Sequence, residues 1–385
     1  MTASPTTPAA KLAAWFMRRT ATVGVRRVAP ACGAVASDVG SVREENQDRV
    51  ALVRGCDNSG GTFVLAALAD GIGGLKRGAE CAALTLGTFI ESIVSDAQSS
   101  PEPRDWLDRG AQRANRAVHA RYSGEGGSTL VAVLLTKAQP PLWLSIGDSR
   151  VYQAEDAKLR QLSRDDTLEG QLGKPIDGGR SELLQFVGIG EALEPHIKEV
   201  PRDETGTILL TTDGIHFIDA DNLGKVVHHA PDLGLCVRRL TELAKMLGGT
   251  DNASVAALAL DPLALAPDDL LDVAYDVWDP FGELQVMVDR RSRRYGSTTT
   301  QPSPRPELAK QDVPLATAPA SSPALGAAAA PEAAGPKHHQ SASKAKNQSK
   351  KTKGSRKKKE PTGEAEQHSE PGVPQLLIEF PNKTP

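Results

Sequence analysis

The chain has 385 residues, a mass of 40.7 kDa and a formal charge of −3. That length allows two domains, or one large domain with tails, and the aromatic content of 4% indicates that part of the chain lies outside any core. The four cysteines lack the spacing of a zinc cluster or a disulfide framework. Because no apolar run is long enough to span a bilayer, we expect a soluble, cytoplasmic protein.

Strand and helix patterns alternate along the body of the chain, from residue 30 to about 262. Apolar residues at helical spacing predict helices over Gly78–Ala97, Asp105–Tyr122 and Leu233–Leu247. Short β-rich runs predict strands over Arg49–Val53, Thr62–Ala69, Thr129–Thr136, Leu142–Ile146, Arg150–Ala154, Thr207–Thr211 and Ser254–Leu260. This order favours an α+β fold in which antiparallel sheets carry helices on their outer faces.

The flanking segments differ from this body in composition. Residues 1–29 form an N-terminal extension, and residues 263–300 form an accessory segment for which an extra hairpin and a docking arm both remain open. Residues 301–336 contain 8 Pro and 11 Ala, which predicts an extended linker.

A basic tail follows at 337–373, and we expect it to be disordered because its basic stretch lacks aromatic and large hydrophobic residues. Residues 337–360 carry ten Lys or Arg and one acid, a net charge of +9 that leaves −12 on the rest of the chain. This stretch is either a solvated spacer or a binding site for an anionic partner. Residues 374–385 contain a short apolar motif, and 374–381 either add a strand to a partner's sheet or have no role.

Aspartates stand at the ends of several predicted strands, beside glycine or another small residue. A carboxylate at the rim of a buried strand is partly desolvated and repels its neighbours, so several converging there require a cation. Oxygen ligands select Mg²⁺ or Mn²⁺ over zinc. A single Asp-Gly pair is usually a plain turn, but five aspartates at comparable strand ends favour a metal site. They are Asp48, Asp70, Asp148, Asp213 and Asp251.

Six short motifs contain these aspartates and follow one another along the chain. They are Arg43-x-x-Asn46-Gln47-Asp48, Asp70-Gly71-x-Gly73-Gly74, Gly127-Ser128-Thr129, Gly147-Asp148-Ser149-Arg150, Asp213-Gly214 and Asp251-Asn252. In order and spacing they resemble the metal-dependent protein phosphatases of the protein phosphatase 2C (PPM) type, and Ile72 fits the bacterial branch. The resemblance covers about residues 33–262, so that 30–262 is expected to be the phosphatase domain.

The resemblance implies a two-layer antiparallel β-sandwich flanked by helices (α-β-β-α) and a hydrolase acting on phosphoserine and phosphothreonine in proteins. It also implies two Mn²⁺ or Mg²⁺ ions that activate a water for attack on phosphorus. Phosphorylated proteins, including a partner Ser/Thr kinase, are the implied partners, and we expect a monomer.

The resemblance assigns the metal ligands residue by residue. Asp70 is expected to bridge both ions, with the Gly71 carbonyl completing one shell. Asp213 and Asp251 are expected to bind one ion directly, and Asp48 to act through a bound water. Asp148 matches a third-metal position, with a turn aspartate paired to Arg150 as the alternative.

Further residues are expected to act beside these ligands. Arg43 is expected to clamp the phosphate, because a guanidinium fork matches two phosphate oxygens, and with Asp48 and Asp70 it completes the predicted catalytic set. Asn46, Gln47 and Asn252 are expected to support neighbouring carboxylates.

Three departures from the family pattern bear on function. Gln47 replaces the more usual Glu, Asp166 replaces a His, and the segment from Leu168 to about Leu183 is short and glycine-rich where the family has a mobile flap. Gln47 and the short flap leave one alternative open, a catalytically weak phosphatase-like binding or scaffold module with a basic recruiting tail.

Overall fold

Two antiparallel sheets form the centre of the fold. The computed structural model describes residues 7–72, 77–137, 139–155, 158–173, 182–190, 193–201, 206–265 and 273–287. The first sheet has the strand order β1-β2-β11-β10-β7-β8, and the second has the order β13-β12-β3-β4-β5-β6-β9. The strands are β1 Val23–Val28, β2 Gly33–Asp38, β3 Arg49–Cys56, β4 Thr62–Ala69, β5 Leu130–Thr136, β6 Leu142–Ile146, β7 Arg150–Glu155, β8 Lys158–Gln161, β9 His196–Glu199, β10 Thr207–Thr211, β11 Ala253–Ala259, β12 Val273–Asp279 and β13 Gly282–Met287.

Helices cover the outer faces of both sheets. They are α1 Pro8–Phe16, α2 Gly78–Ala97, α3 Pro103–Tyr122, α4 Leu168–Leu172, α5 Asp213–His216, α6 Ala220–His228 and α7 Leu233–Met246, with 3₁₀ turns at Ala29–Ala31 and Pro262–Leu265. No helix in the described ranges is long and apolar enough to cross a membrane.

Alternate residues of β4 enter different hydrophobic cores, as the two-residue period of a strand requires. Phe63 and Leu65 join the core beneath α1, α2 and α3. Val64 and Leu68 join the core between the two sheets. A third core, which includes Leu209 of β10, lies between the first sheet and helices α5 to α7. The expected α-β-β-α sandwich is therefore confirmed.

Both sheets extend beyond the body expected from the motifs. Strand β1, from the N-terminal extension, pairs with β2. The accessory segment contains the β12–β13 hairpin, and β12 pairs with β3. A hairpin is thus what the described part of this segment forms, while the domain boundaries themselves stay predictions. The linker, the basic tail and the C-terminal motif lie outside the described residues.

Helix α1 packs tightly against α2. Its N-terminus is capped by the Thr7 hydroxyl, which accepts a hydrogen bond from the Ala10 amide, and Leu12 and Phe16 are buried. A Cβ on Gly87 of α2 would stand 2.7 Å from the Ala13 backbone nitrogen. Only glycine permits this close approach of the two helices.

The packing between α2 and α3 predicts a large stability loss in Phe89→Ala. Phe89 is fully buried and leaves too little room for any side chain at Gly110. Removing the ring should lower the free energy of unfolding by about 3–5 kcal/mol, as measured by urea titration. Met246→Ala is the control, because Met246 is 79% exposed and should change stability by less than about 0.5 kcal/mol. Equal effects of the two substitutions would contradict the packing described here.

Candidate metal centre

The predicted site aspartates lie at one end of the sandwich because of the strand order. Asp48 precedes β3 and Asp70 follows β4, and these strands are antiparallel neighbours in which Arg49 faces Ala69. Asp213 follows β10, whose last residue faces Val255 of β11, and Asp251 precedes β11. Asp148 lies in the turn from β6 to β7, and β7 pairs with β10 at the same end.

Backbone and hydroxyl contacts fix Asp70 and Gly71. The Asp70 amide donates to Thr129 Oγ1 at 3.0 Å, and its carbonyl accepts from the Thr129 amide at 2.8 Å. The Gly71 amide donates to the Gln47 carbonyl at 3.2 Å. A Cβ on Gly71 would collide with the backbone of Gly78 at the start of α2, so the Asp-Gly sequence is required sterically here.

Two asparagines hold the loop from Arg43 to Asp48. Asn252 Oδ1 accepts from the Gln47 amide at 2.8 Å, and its Nδ2 donates to the Val39 and Glu45 carbonyls. Asn46 Oδ1 accepts from the Asp48 amide at 3.0 Å. Both side chains therefore bind backbone groups in and beside this loop, and Asn46 Nδ2 also donates to the Ser37 hydroxyl, so that among the described residues they fix the loop and do not hydrogen-bond the carboxylates directly.

Asp48 is almost completely buried, and only one of its two carboxylate oxygens has a hydrogen-bond partner among the described residues. Its Oδ2 accepts from the Thr212 hydroxyl at 3.0 Å, whereas its Oδ1 has no hydrogen-bond partner in the described part of the chain. Burial raises the pKa of Asp48 to about 7, and the charges of Asp213 and Asp251 contribute. An orphaned buried oxygen beside other carboxylates fits a site that holds a cation.

The other carboxylates repel one another in the same way. Burial raises the pKa of Asp70 well above its ordinary value, and Asp48, Asp213 and Asp148 add to this effect. Burial and Asp213 together raise the pKa of Asp148 to about 7. Partial burial and the charge of Asp251 raise the pKa of Asp213. The Asp213 side chain is nevertheless exposed to solvent at the mouth of the site.

Arg43 also reaches this cluster. Its Nη2 donates to Asp251 Oδ2 at 2.6 Å, and both side chains are partly exposed. Among the described residues, no three His, Cys, Asp or Glu side chains stand in the geometry of a formed metal cluster. Hydrogen bonds hold two of them instead: Asp251 to Arg43, and Asp48 to Thr212. The donor set fits Mn²⁺ or Mg²⁺ because it consists of carboxylate and carbonyl oxygens.

Two neighbours of the site differ from sequence expectation. Arg150 forms a bidentate pair with Asp165, at 2.7 Å for the closest atoms, and the role of Asp148, third-metal ligand or turn aspartate, stays a prediction. Asp166 accepts from the Gly147 amide at 2.9 Å and contacts His196 Nε2 at 2.8 Å. The acid at this position therefore has an imidazole partner from strand β9.

Some site positions fall outside the described residues, and others were missed. Gly73 and Gly74 of the second motif, and 174–181 of the flap segment, are outside the described ranges. The sequence analysis did not identify Thr212. Its hydroxyl group, directly before Asp213, is a hydrogen-bond donor suited to a neighbouring carboxylate. His196, which lies 30 residues from Asp166 and has no local signal, was also missed.

Residues 41–258 match the family model described as "Protein phosphatase 2C". That segment contains every aspartate of the cluster and Arg43, and it is more than half of the chain. The chain belongs to the protein phosphatase 2C family. The resemblance seen in the motifs is thereby confirmed, and family membership makes the chain a protein phosphatase, a hydrolase.

The chain is similar to bacterial phosphatases over its domain. It is 26% identical over 241 residues to the protein phosphatase PhpP of Streptococcus pneumoniae, covering 58% of this chain and 96% of that one. It is 29% identical over 238 residues to the serine/threonine protein phosphatase PstP of Mycobacterium tuberculosis, but spans only 43% of that protein. The structure of the PPM Ser-Thr phosphatase MsPP from Mycobacterium smegmatis, in complex with cacodylate, is 30% identical, with a TM-score of 0.51, covering 59% of this chain and 97% of that one.

The carboxylate cluster predicts that the metal-free protein loses stability as pH rises from about 4 to about 7. The folded state raises the pKa of Asp48 to about 7 from an ordinary value of about 3.9. In this window the folded chain keeps a proton that the unfolded chain releases, so the unfolding free energy falls with increasing pH.

Asp48→Asn tests this prediction. Without the carboxyl group, the fall should flatten by up to about 1.4 kcal/mol per pH unit, as measured by urea unfolding in EDTA between pH 4 and 7. Asp221→Asn, an exposed position in α6, should leave the slope unchanged. A slope in Asp48→Asn equal to that of the wild type would contradict the burial of a proton at this site.

Proposed function

We propose that the chain is a metal-dependent serine/threonine protein phosphatase, which hydrolyses phosphoserine and phosphothreonine with a water activated by two Mn²⁺ or Mg²⁺ ions. The observation that carries the proposal is the placement of Asp48, Asp70, Asp213 and Asp251 at four strand ends on one side of the sandwich, where Asp48 is buried and neighbouring carboxylates raise the pKa of Asp48, Asp70 and Asp213. Such a cluster is stable at neutral pH when divalent cations neutralise it.

The relatives support the substrate class. PstP and MsPP carry serine/threonine phosphatase in their names, and the MsPP structure contains cacodylate. Cacodylate is a tetrahedral oxyanion, as phosphate is. A site built on the same motifs in this chain is therefore suited to a phosphomonoester.

The cluster suggests a division of roles among the acidic residues. Asp70 and the Gly71 carbonyl would hold the ions from the second sheet, and Asp213 and Asp251 would hold them from the first. Bound divalent cations supply a Lewis acid that lowers the pKa of water and stabilises charge on phosphoryl oxygens. Asp48, fixed by Thr212 and by the backbone of its loop, orients water beside them. Asp148 is placed to take part in a third ion site.

Arg43 binds the phosphate group in this proposal. Its guanidinium already reaches the cluster through Asp251, and it lies on the partly exposed side where a substrate enters. Ile72, next to the metal-binding Gly71, has no proton to give, so the leaving hydroxyl takes its proton from solvent.

The segments beyond the domain suggest how substrates are brought to it. We place phosphorylated proteins, including a Ser/Thr kinase, among its partners. The +9 stretch at 337–360 is suited to an anionic partner, and 374–381 to addition of a strand to a partner's sheet.

Loss of one ligand tests the metal-dependent activity. Asp213→Asn removes a charge from the cluster and should lower kcat on a phosphothreonine peptide by about 100-fold or more. EDTA should abolish wild-type turnover, and Mn²⁺ should restore it. Asp221→Asn, a nearby exposed change of the same kind, should retain full activity. Wild-type turnover that is insensitive to EDTA would refute the proposal, and metal binding without turnover would favour the scaffold alternative.

The phosphate clamp predicts a separate effect on substrate binding. Arg43→Lys keeps the charge but loses the planar fork, so KM for p-nitrophenyl phosphate should rise about tenfold with a smaller change in kcat. Arg116→Lys, at an exposed position of α3, is the matched control. If KM is unchanged in Arg43→Lys, Arg43 does not bind the phosphate.

A further inference from the structure

Arg49 ties the loop that contains Arg43 and Asp48 to helix α1. Its Nη1 donates to the Asn46 carbonyl at 2.8 Å and to the Asp48 carbonyl at 2.6 Å. Its Nε donates to the Phe16 carbonyl at 2.8 Å, at the last residue of α1. One planar, partly buried guanidinium therefore bridges three backbone carbonyls from two distant parts of the chain.

Helix α1 is a firm support for this bridge. Phe16 is buried beside Leu12 in the core beneath the second sheet, and α1 touches α2 closely at Gly87. Beyond the helix, Arg18 pairs with the buried Asp279 of β12 at 2.7 Å. The support lies outside residues 41–258, the segment that matches the family model.

An unfilled space separates this loop from helix α1. A cavity of about 320 Å³ lies between the end of α1, residues 44–46 and 48 of the loop, the start of β3 and the turn at 279–281. Asn252 also holds the loop, and the hydrogen bonds of Arg49 connect it to the end of α1 beside this cavity.

We propose that Arg49 is a positioning residue, which sets the metal affinity of the site by fixing the loop of Asn46 and Asp48 against helix α1. This inference rests on the proposed metal-dependent function and adds a second requirement to it. When a residue that holds a metal ligand in position through hydrogen bonds is removed, metal affinity typically falls by about tenfold or more.

The experiment compares full-length Arg49→Met and Arg49→Lys with Arg113→Met. Methionine keeps an apolar stem but loses all donors. Lysine keeps the charge but cannot span three carbonyls. Arg113 is the matched control, since its guanidinium links α3 to Ser92 and Asp96 of α2 and plays no part in the site.

Mn²⁺ affinity measured by calorimetry is the main readout, with melting temperature and p-nitrophenyl phosphate kinetics beside it. Both methionine variants should lower the melting temperature, but only Arg49→Met should raise the Kd for Mn²⁺, by about tenfold. Arg49→Lys should lie between Arg49→Met and the wild type. If Arg49→Met does not fold, the affinity of Arg49→Lys decides.

Gly87→Ala connects the effect to α1. Its methyl group forces α1 away from α2, and the Phe16 carbonyl moves with the helix. In the double variant with Arg49→Met, the two effects on the Kd for Mn²⁺ should be less than additive. Additive effects would exclude the route through α1.

Two further outcomes separate this inference from the proposed function. Wild-type Mn²⁺ binding together with an unchanged Kd in Arg49→Met would overturn the role of Arg49 alone. A wild-type chain that binds no Mn²⁺ would overturn the metal centre, and the role of Arg49 with it.

Discussion

The strand order brings several carboxylates together at one end of the sandwich. Their mutual repulsion is the physical constraint on which the candidate metal site depends. Asp48 and Asp70 come from one sheet, and Asp213 and Asp251 come from the other. Burial disfavours the charged forms of Asp48, Asp70 and Asp213, and neighbouring carboxylates raise the pKa of each of them further. The fold tolerates this arrangement because strong backbone ladders hold the strand ends in place. The unfavourable electrostatic energy is thus located at the end of the sandwich where the binding of divalent cations would relieve it.

The surrounding hydrogen bonds are directed at the backbone more than at the charges. Asn252 and Asn46 fix the amides and carbonyls of one loop, and Thr129 fixes the backbone of Asp70. Asp48 keeps one oxygen without a partner in the described structure. The loops are therefore rigid while the carboxylate oxygens stay available, an arrangement that suits metal binding.

Sequence patterns predicted much of the fold, because their signals are local. Helix α2 begins and ends as its periodicity indicated, and strands such as Thr62–Ala69 agree with their apolar runs. Strand β2 was missed, since Gly33–Asp38 contains mostly small residues and only one strong strand former, Val35. Helix α1 was not predicted, although Thr7 followed by Pro8 is a typical start of a helix.

The sequence predicted where the candidate site lies, but it did not predict most of the contacts around the site. Aspartates at strand ends gave its location, because antiparallel neighbours bring such ends together. The partners of those aspartates depend on long-range packing that no spacing encodes. His196 reaches Asp166 from another strand, and Arg49 reaches Phe16 across 33 positions. These contacts become visible only when the sheets are assembled.

The pairing of the outer strands has a consequence for the order of assembly during synthesis. Strand β2 pairs with β11, and Arg18 pairs with Asp279, 261 positions later in the chain. Contacts this distant in sequence form slowly and late. The N-terminal helix must therefore wait for almost the whole domain to be translated before its last partner exists. Until β11 has been translated, the edge of β2 that pairs with it is exposed, and an exposed strand edge makes the nascent chain prone to aggregation in that interval.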